Sequence, residues 1–187
     1  MVTLYLVRHG QVYNPDGIIY GHLPGFGLSQ TGEGQIERAG KALADCGPLQ
    51  ALYTSPLQRA RESAAILAGH VGLQPVVAES LVETGIGGYQ GKSFDVLPRP
   101  YITEEAVHEG IESAASIRAR ILAWVEGMQQ DHAGQQIAAV SHRDPIIVAL
   151  LHWTGQGLEA LPDFNMNTGG VYRVQLNGAE CAVELVV

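Results

Sequence analysis

The segment YLVRHGQVYN, residues 5–14, runs from an apolar stretch directly into an arginine, a histidine and a glycine. The residues on its amino-terminal side have the composition of a short strand: Val2, Leu4, Leu6 and Val7. Open α/β sheets bind ligands just beyond the carboxyl ends of their strands. We therefore predict that Arg8 and His9 lie at such an edge of a sheet.

Strand-like and helix-like patterns alternate along nearly the whole chain, which is typical of an α/β sandwich. Helices are predicted from about residue 31 to 45 and from about 113 to 130, and strands at ALYT, at LQPVV and at QIAAVS. The tail alternates in hydropathy on both sides of Asn177-Gly178, which is a strong hairpin signal.

The composition limits the partners and the location of the chain. It has 187 residues and a formal net charge of −8, with no basic stripe, so we expect one domain and no nucleic-acid or anionic-membrane partner. No apolar run approaches the roughly 20 residues of a membrane span, and the amino terminus lacks the layout of a secretion signal. These features predict a cytoplasmic protein. Cys46 and Cys181 are too few for a metal cluster or a disulfide framework.

The strand ALYT leads directly into a helix that begins near an arginine. Ser55 suits the N-cap, Pro56 suits the first helical position, and Gln58 would complete a capping box three residues after the serine. Arg59 then falls in the first turn of this helix.

Three loops share one layout, in which a strand ends and a helix or a bend begins. The first offers Arg8 and His9, the second Arg59, and the third His142, after which Asp144 and Pro145 resemble a helix cap and first residue. Guanidinium groups and free N–H groups at helix starts match the oxygens of a phosphoryl group. The three loops therefore predict a site for a tetrahedral dianion.

The same loops carry a resemblance to a known family. The motifs LVRHG, TSPLQRARESA, LVETGIGGYQG and VSH occur in the order and rough spacing of the histidine phosphatase superfamily, which has the phosphoglycerate mutase-like fold. The resemblance covers residue 4 to about residue 155. It implies a three-layer α/β/α sandwich with a mostly parallel central sheet, formed by a single histidine phosphatase domain over residues 1–187.

The resemblance also implies roles for five residues. His9 resembles the phosphate-accepting nucleophile, and Arg8, Arg59 and His142 resemble the phosphate pocket, His142 also being counted with the catalytic group. Glu83 resembles the proton donor. The chemistry of these residue types agrees with those roles, because a neutral imidazole can attack phosphorus while cations stabilise the oxygens. We expect no metal or other cofactor, since the cations already stabilise the charge and no metal-ligand spacing occurs.

Further candidate residues lie in the loops around these motifs. Asn14 comes five residues after His9, where relatives often have an asparagine after six, and it remains a candidate phosphate contact. Arg143 stands where relatives often have glycine, and it either adds positive charge at the pocket rim or points away. The candidate substrate contacts are Tyr20, Gly21, Arg99 and Arg143.

Three functions remain open at this stage. The leading one is a metal-independent phosphatase that hydrolyses small phosphomonoesters through phosphohistidine. The second is a phosphoglycerate mutase, which returns the phosphoryl group to a substrate, and the third is a non-catalytic phospho-ligand binding protein. Residues 92–112 form a short segment with two fixed cations and five acids, which favours the phosphatase by leaving the intermediate open to water. The sequence leaves homodimer formation open.

Overall fold

The computed structural model describes residues 1–178 and 180–187. These residues form six strands and four α-helices: β1 Val2–Arg8, α1 Gln30–Asp45, β2 Ala51–Thr54, α2 Gln58–Val71, β3 Pro75–Val77, α3 Ala114–Asp131, β4 Gln136–Ser141, α4 Arg143–Thr154, β5 Val171–Asn177 and β6 Glu180–Leu185. The segment between β3 and α3 is irregular apart from single 3₁₀ turns.

All six strands form one sheet in the order β3-β2-β4-β1-β5-β6. The first four strands in that order are parallel to their neighbours, whereas β5 is antiparallel to β1 and β6 is antiparallel to β5. The predicted mostly parallel sheet is therefore confirmed. Strands β1 and β2 do not pair with each other, because β4 lies between them.

Helices cover both faces of the sheet and give it three layers. Side chains of β1 alternate between two hydrophobic cores, as the strand period of two requires. Leu4 and Leu6 pack with residues of α3 and α4, and Tyr5 and Val7 pack with residues of α1 and α2. This arrangement confirms the predicted α/β/α sandwich.

Two predicted helix caps are wrong. Helix α2 begins at Gln58 with Leu57 as its N-cap, so Ser55 does not cap it. Helix α4 begins at Arg143 with His142 as its N-cap, which is earlier than the predicted cap at Asp144. In both cases tertiary hydrogen bonds engage the polar side chain: the Ser55 hydroxyl bonds to a histidine, and the Asp144 carboxylate accepts from Tyr101.

The carboxyl-terminal strands form the predicted hairpin. Strands β5 and β6 pair in antiparallel register, with Asn177 opposite Glu180. Gly178 has a positive φ of 63°, which glycine adopts without a steric penalty. The residue between Gly178 and Glu180 lies outside the described part of the chain.

The sheet order places three strand ends side by side. Because β2, β4 and β1 are adjacent and parallel, their carboxyl ends meet at one edge, and the residues that follow them lie close together. In residues 1–178 and 180–187, no helix has the length and apolar character needed to cross a membrane.

Candidate active site

Two histidines meet at the shared edge of the sheet. His9 follows β1 and His142 follows β4, and both side chains are buried. The centres of their rings lie 5.0 Å apart. The structure therefore brings together the two histidines that the sequence singled out.

The hydrogen bonds of His9 define its tautomer. Its Nδ1 lies 2.7 Å from the carbonyl oxygen of Gly10, which can only accept, so Nδ1 carries the proton. Its Nε2 accepts from Nε–H of Arg59 at 3.3 Å. Burial, reinforced by the charge of Arg59, holds the pKa of His9 well below its ordinary value. His9 is thus a neutral imidazole with a lone pair on Nε2, which is the form a nucleophile needs.

Close packing behind His9 fixes the backbone of the loop. A Cβ atom on Gly10 would lie 2.4 Å from the carbonyl oxygen of Gly32, so only glycine fits there. The Ser63 hydroxyl joins this loop to α2, because it accepts from Gly10 N at 3.2 Å and donates to the Arg59 carbonyl at 2.7 Å. These contacts hold the nucleophile and Arg59 in a fixed relation.

Ser55 orients His142, a role that the sequence prediction missed. The Ser55 hydroxyl accepts from Leu57 N at 3.3 Å and lies 2.7 Å from His142 Nε2. Burial, together with the charge of Arg59, lowers the pKa of His142 well below its ordinary value, so the ring is neutral. Because the Ser55 hydroxyl proton has no other acceptor among the hydrogen bonds of the described residues, we assign it to the bond with Nε2, which leaves the ring proton on Nδ1. The position of Ser55 directly after β2, at the shared edge, was the signal that could have identified it.

Two arginines supply positive charge around the histidines. Arg59 is 1% exposed, donates to the carbonyl of Gly21 at 3.0 Å, and lies 4.7 Å from the centre of the Tyr20 ring. Arg8 donates through Nη1 to the Met166 carbonyl. The electrostatic field at this edge therefore favours an anion.

Glu83 lies in the loop after β3, and its side chain is 17% exposed. Burial and the nearby charge of Asp144 raise its pKa from 4.5 to about 7, against the opposing charge of Arg59. Its Oε2 lies 4.0 Å from Nδ1 of His142. A carboxyl group with this pKa carries a proton in about half of the molecules at neutral pH, so it can act as an acid and as a base.

The backbone around Glu83 is held by three other elements. Nε2–H of His22 donates to the Glu83 carbonyl at 2.7 Å, and the Ser141 hydroxyl donates to the Leu81 carbonyl at 2.7 Å. On the helix side, Arg120 donates to the Ser80 carbonyl at 2.6 Å. These bonds fix the loop on both sides of the carboxyl group.

An ion pair completes this attachment to α3. Arg120 bonds both carboxylate oxygens of Glu112, at 2.9 and 3.1 Å. Glu112 also accepts from Gly85 N at 3.3 Å. One ion pair therefore contacts the chain before and after Glu83. The sequence analysis did not identify this pair, because no local pattern links residues of the irregular segment and of α3 to the chain around Glu83.

Three polar atoms around the site are buried without a hydrogen-bond partner among the described residues. They are Arg8 Nε, Thr84 Oγ1 and His142 Nδ1. Each of them can donate a hydrogen bond. Buried donors usually find acceptors, so this cluster fits a ligand that carries several acceptor oxygens.

A cavity of about 230 Å³ is lined by two of these residues, Arg8 and Thr84, and by Glu83. His9, Arg59 and His142 lie outside its lining. We call this space the catalytic cavity. Four predicted residues besides Glu83 line it: Arg8, Tyr20, Gly21 and Arg143. Asp144 and Tyr101 also line it, and neither had been predicted as a site residue. Arg143 lies on the cavity wall rather than pointing away from it, and its guanidinium donates to Asp144 at 3.1 Å.

Two predicted contacts lie elsewhere. Asn14 does not line the cavity; its amide donates to the Ile18 carbonyl at 2.9 Å and accepts from Ile18 N at 3.2 Å, so it closes a local turn. Arg99 is exposed and lines a neighbouring cavity. Asn14 is therefore engaged by the local main chain, whereas Arg99 stays a predicted substrate contact on the wall of the neighbouring cavity.

No three or more His, Cys, Asp or Glu side chains in residues 1–178 and 180–187 are placed to hold a metal ion.

Comparison with known proteins gives related sequences over most of the chain. A family model described as the histidine phosphatase superfamily, branch 1, matches residues 4–187. An uncharacterized protein of Mycobacterium tuberculosis is 35% identical over 164 residues, covering 83% of this chain and 80% of that protein. Phosphoserine phosphatase 1 of Hydrogenobacter thermophilus is 29% identical over 156 residues, covering 78% of this chain and 73% of the relative.

Solved structures share the fold over the full length. YhfR of Bacillus stearothermophilus has a TM-score of 0.85 and 25% identity, covering 99% of this chain and 96% of its own. A mycobacterial glucosyl-3-phosphoglycerate phosphatase has a TM-score of 0.84 and 23% identity, covering 98% of this chain and 97% of that structure. At this identity the likeness concerns the fold alone. The resemblance stated from the four motifs is confirmed.

Proposed function

The chain belongs to the histidine phosphatase superfamily, branch 1, and we propose that it hydrolyses small phosphomonoesters through a phosphohistidine on His9. One observation carries the proposal: among the described residues, Arg8, Thr84 and His142 have buried atoms without a hydrogen-bond partner, and the His142 ring lies 5.0 Å from the ring of a neutral His9. A phosphoryl group has the acceptor oxygens that these donors lack, and its negative charge suits the two buried arginines.

In the first half-reaction, Nε2 of His9 attacks phosphorus and the bond from phosphorus to the ester oxygen breaks. The proton stays on Nδ1, which continues to donate to the Gly10 carbonyl. The hydrogen bond that Arg59 Nε–H donates to His9 Nε2 is replaced by one to a phosphoryl oxygen. This change frees the lone pair on Nε2 for the attack. The charge on the phosphoryl oxygens is stabilised by Arg8, Arg59 and His142. Protonated Glu83 gives its proton to the departing alkoxide.

In the second half-reaction, water replaces the alcohol. Ionised Glu83 takes a proton from the water as its oxygen attacks phosphorus, and the bond between phosphorus and His9 Nε2 breaks. Inorganic phosphate leaves, and Glu83 is protonated again. The pKa of about 7 lets this one carboxyl group serve both steps near neutral pH.

Two arginines near the site, Arg143 and Arg99, support phosphatase chemistry over mutase chemistry, because neither is free to bind a second anionic group in the catalytic cavity. Arg143 is already engaged by Asp144 and by the Leu161 carbonyl at 3.0 Å, and Arg99 lies outside the catalytic cavity. Arg8 is the remaining arginine of the cavity lining, and the phosphoryl group occupies it, so a second anionic group on a substrate finds no further unengaged arginine among the residues lining this cavity. The phosphatase name of the Hydrogenobacter relative points the same way.

The experiment is a phosphoenzyme assay on the wild type and on His9→Ala. We expect turnover and a phosphoenzyme that is lost in acid and stable in alkali, both absent from His9→Ala. His152→Ala, at an exposed histidine of α4, is the matched control and should behave as wild type. A phosphoenzyme with the opposite stability would be an acyl phosphate and would remove His9 from the nucleophile role.

The same preparation separates the two alternatives. Release of phosphate should exceed the interconversion of 2- and 3-phosphoglycerate by a wide margin. Efficient interconversion with little free phosphate would identify a mutase. Tight binding of phosphomonoesters without either activity would identify a phospho-ligand binding protein.

A further inference from the structure

A second cavity adjoins the catalytic one. It measures about 710 Å³, roughly three times the volume of the catalytic cavity. Tyr101 and Arg143 line both cavities, so the two spaces meet at these side chains. The junction is held together by Asp144, which accepts from the Tyr101 hydroxyl at 2.6 Å and from Arg143 at 3.1 Å.

The wall of the second cavity is mainly apolar. Five aliphatic or proline residues and one tyrosine supply most of it: Pro100, Tyr101, Ile102, Leu158, Leu161 and Pro162. They come from the irregular segment before α3 and from the turn after α4. A cavity of this size and character is typical of a site for a small organic molecule.

The charges on the wall are balanced. It contains two arginines, Arg99 and Arg143, and two glutamates, Glu104 and Glu159. Arg143 is paired with Asp144, and Glu104 is paired with Arg118 outside the cavity at 2.7 Å. The wall therefore offers little net attraction for either sign of charge.

We propose that this second cavity binds the leaving group of the substrate and that the leaving group is uncharged and largely apolar, of the size of a cyclohexyl or aromatic ring. The inference rests on the proposed phosphatase function. The phosphoryl group binds beside His9, and the alcohol portion extends past Tyr101 and Arg143 into the apolar space. Phosphomonoesters with a carboxylate on the alcohol are then poor substrates.

Three alkyl phosphates of equal leaving-group acidity test this specificity: propyl phosphate, 3-cyclohexylpropyl phosphate and 5-carboxypentyl phosphate. We expect kcat/KM for the cyclohexyl ester to exceed that for the propyl ester by on the order of 100-fold, because each apolar group buried in a fitting pocket adds to affinity. The carboxylated ester should fall below the cyclohexyl ester. Equal values for all three, or a preference for the carboxylate, would overturn the proposal.

Two variants locate the preference. Leu158→Trp fills the second cavity and should narrow the ratio between the cyclohexyl and propyl esters by about tenfold. Thr103→Phe, on another part of the same wall, serves if Leu158→Trp does not fold. The matched control is Val77→Trp, an exposed position that lines a different cavity, and it should keep the wild-type ratio. If the ratio of kcat/KM between the cyclohexyl and propyl esters is unchanged in both wall variants, the apolar part of the substrate does not bind in the second cavity.

Binding to His9→Ala separates this inference from the phosphatase proposal. Calorimetry with the same three esters on this variant measures affinity without turnover. If the wild type releases no phosphate from any ester, the phosphatase proposal fails, and a preference for the cyclohexyl ester in the calorimeter would still support the apolar subsite. If turnover occurs and His9→Ala binds the three esters equally, only the subsite is wrong.

Discussion

Replacing Glu83 with glutamine removes the proposed acid and base while keeping the size of the side chain. General acid catalysis contributes about 10²- to 10⁴-fold when the leaving group is a poor one. We therefore expect kcat/KM of Glu83→Gln to fall by that amount on an alkyl phosphate. On 4-nitrophenyl phosphate the fall should be small, because that leaving group needs little protonation.

The pH dependence follows from the raised pKa of Glu83. With a pKa of about 7, the carboxyl group is about 90% protonated at pH 6 and about 10% protonated at pH 8. The contribution of Glu83 to the wild-type kcat/KM on an alkyl phosphate should therefore fall about tenfold between these values. The kcat/KM of the wild type is divided by that of Glu83→Gln on the same ester at each pH, which cancels the effect of substrate ionisation. The change of this ratio with pH then reports Glu83 alone.

The assay measures phosphate release from an alkyl and an aryl ester between pH 5 and pH 9. Glu79→Gln is the matched control, because Glu79 is an exposed carboxylate in the same loop, and it should retain wild-type values. Equal losses of kcat/KM on both esters in Glu83→Gln would remove Glu83 from the acid role. A ratio of wild type to variant that stays constant from pH 5 to pH 9 would do the same.

The same variant should change stability in the opposite direction to activity. The folded state holds the Glu83 proton more tightly than the unfolded state, so the stability of the wild type falls as the pH rises from 4.5 to about 7. Above that window the loss is about 3 kcal/mol. Glu83→Gln removes it and should raise the melting temperature at pH 8 by roughly 6 to 12 °C, with no gain at pH 4. A lower melting temperature at pH 8 would contradict the burial argument.

Two further variants test how the site is supported. Ser55→Ala leaves His142 Nε2 without its donor and should lower kcat/KM about tenfold, equally on alkyl and aryl esters; a loss confined to alkyl esters would mean that Ser55 acts through Glu83. Arg120→Met breaks a half-buried ion pair and should cost about 2 kcal/mol of unfolding free energy, with a loss of kcat/KM concentrated on alkyl esters. Its control, Arg118→Met, breaks an exposed pair and should cost at most about 1 kcal/mol; equal effects of both variants would show that the Arg120 pair does not position Glu83.

The sequence predicted the residues whose positions depend on strand ends. Arg8, His9 and His142 follow apolar runs directly, and parallel strands place such residues at one edge whatever the details of packing. Arg59 was found for a similar reason, because it lies in the first turn of the helix that follows β2, although the predicted cap of that helix was wrong. These signals are local in the sequence, and the positions that they predict do not depend on distant contacts.

Residues whose roles depend on distant contacts were missed or misplaced. Ser55 has the pattern of a helix cap, but its hydroxyl bonds to His142 at the end of a strand that is distant in the sequence. Asn14 stands near the expected spacing, but its amide satisfies the main chain of Ile18 instead. Arg99 belongs to an irregular segment whose path no periodic pattern determines. The pKa of Glu83 depends on burial and on Asp144, which no reading of the loop alone supplies.

The position of β4 between β1 and β2 also sets the order in which the site forms during synthesis. Chains are made from the amino terminus, and contacts between residues far apart in sequence form slowly. A nascent chain that ends before Gln136 already carries His9 and Arg59, but it lacks the strand with which both β1 and β2 pair. The ribosome must therefore deliver about three quarters of the chain before the edge exists, and a truncated translation product ending short of β4 would be inert toward phosphate esters in the cell.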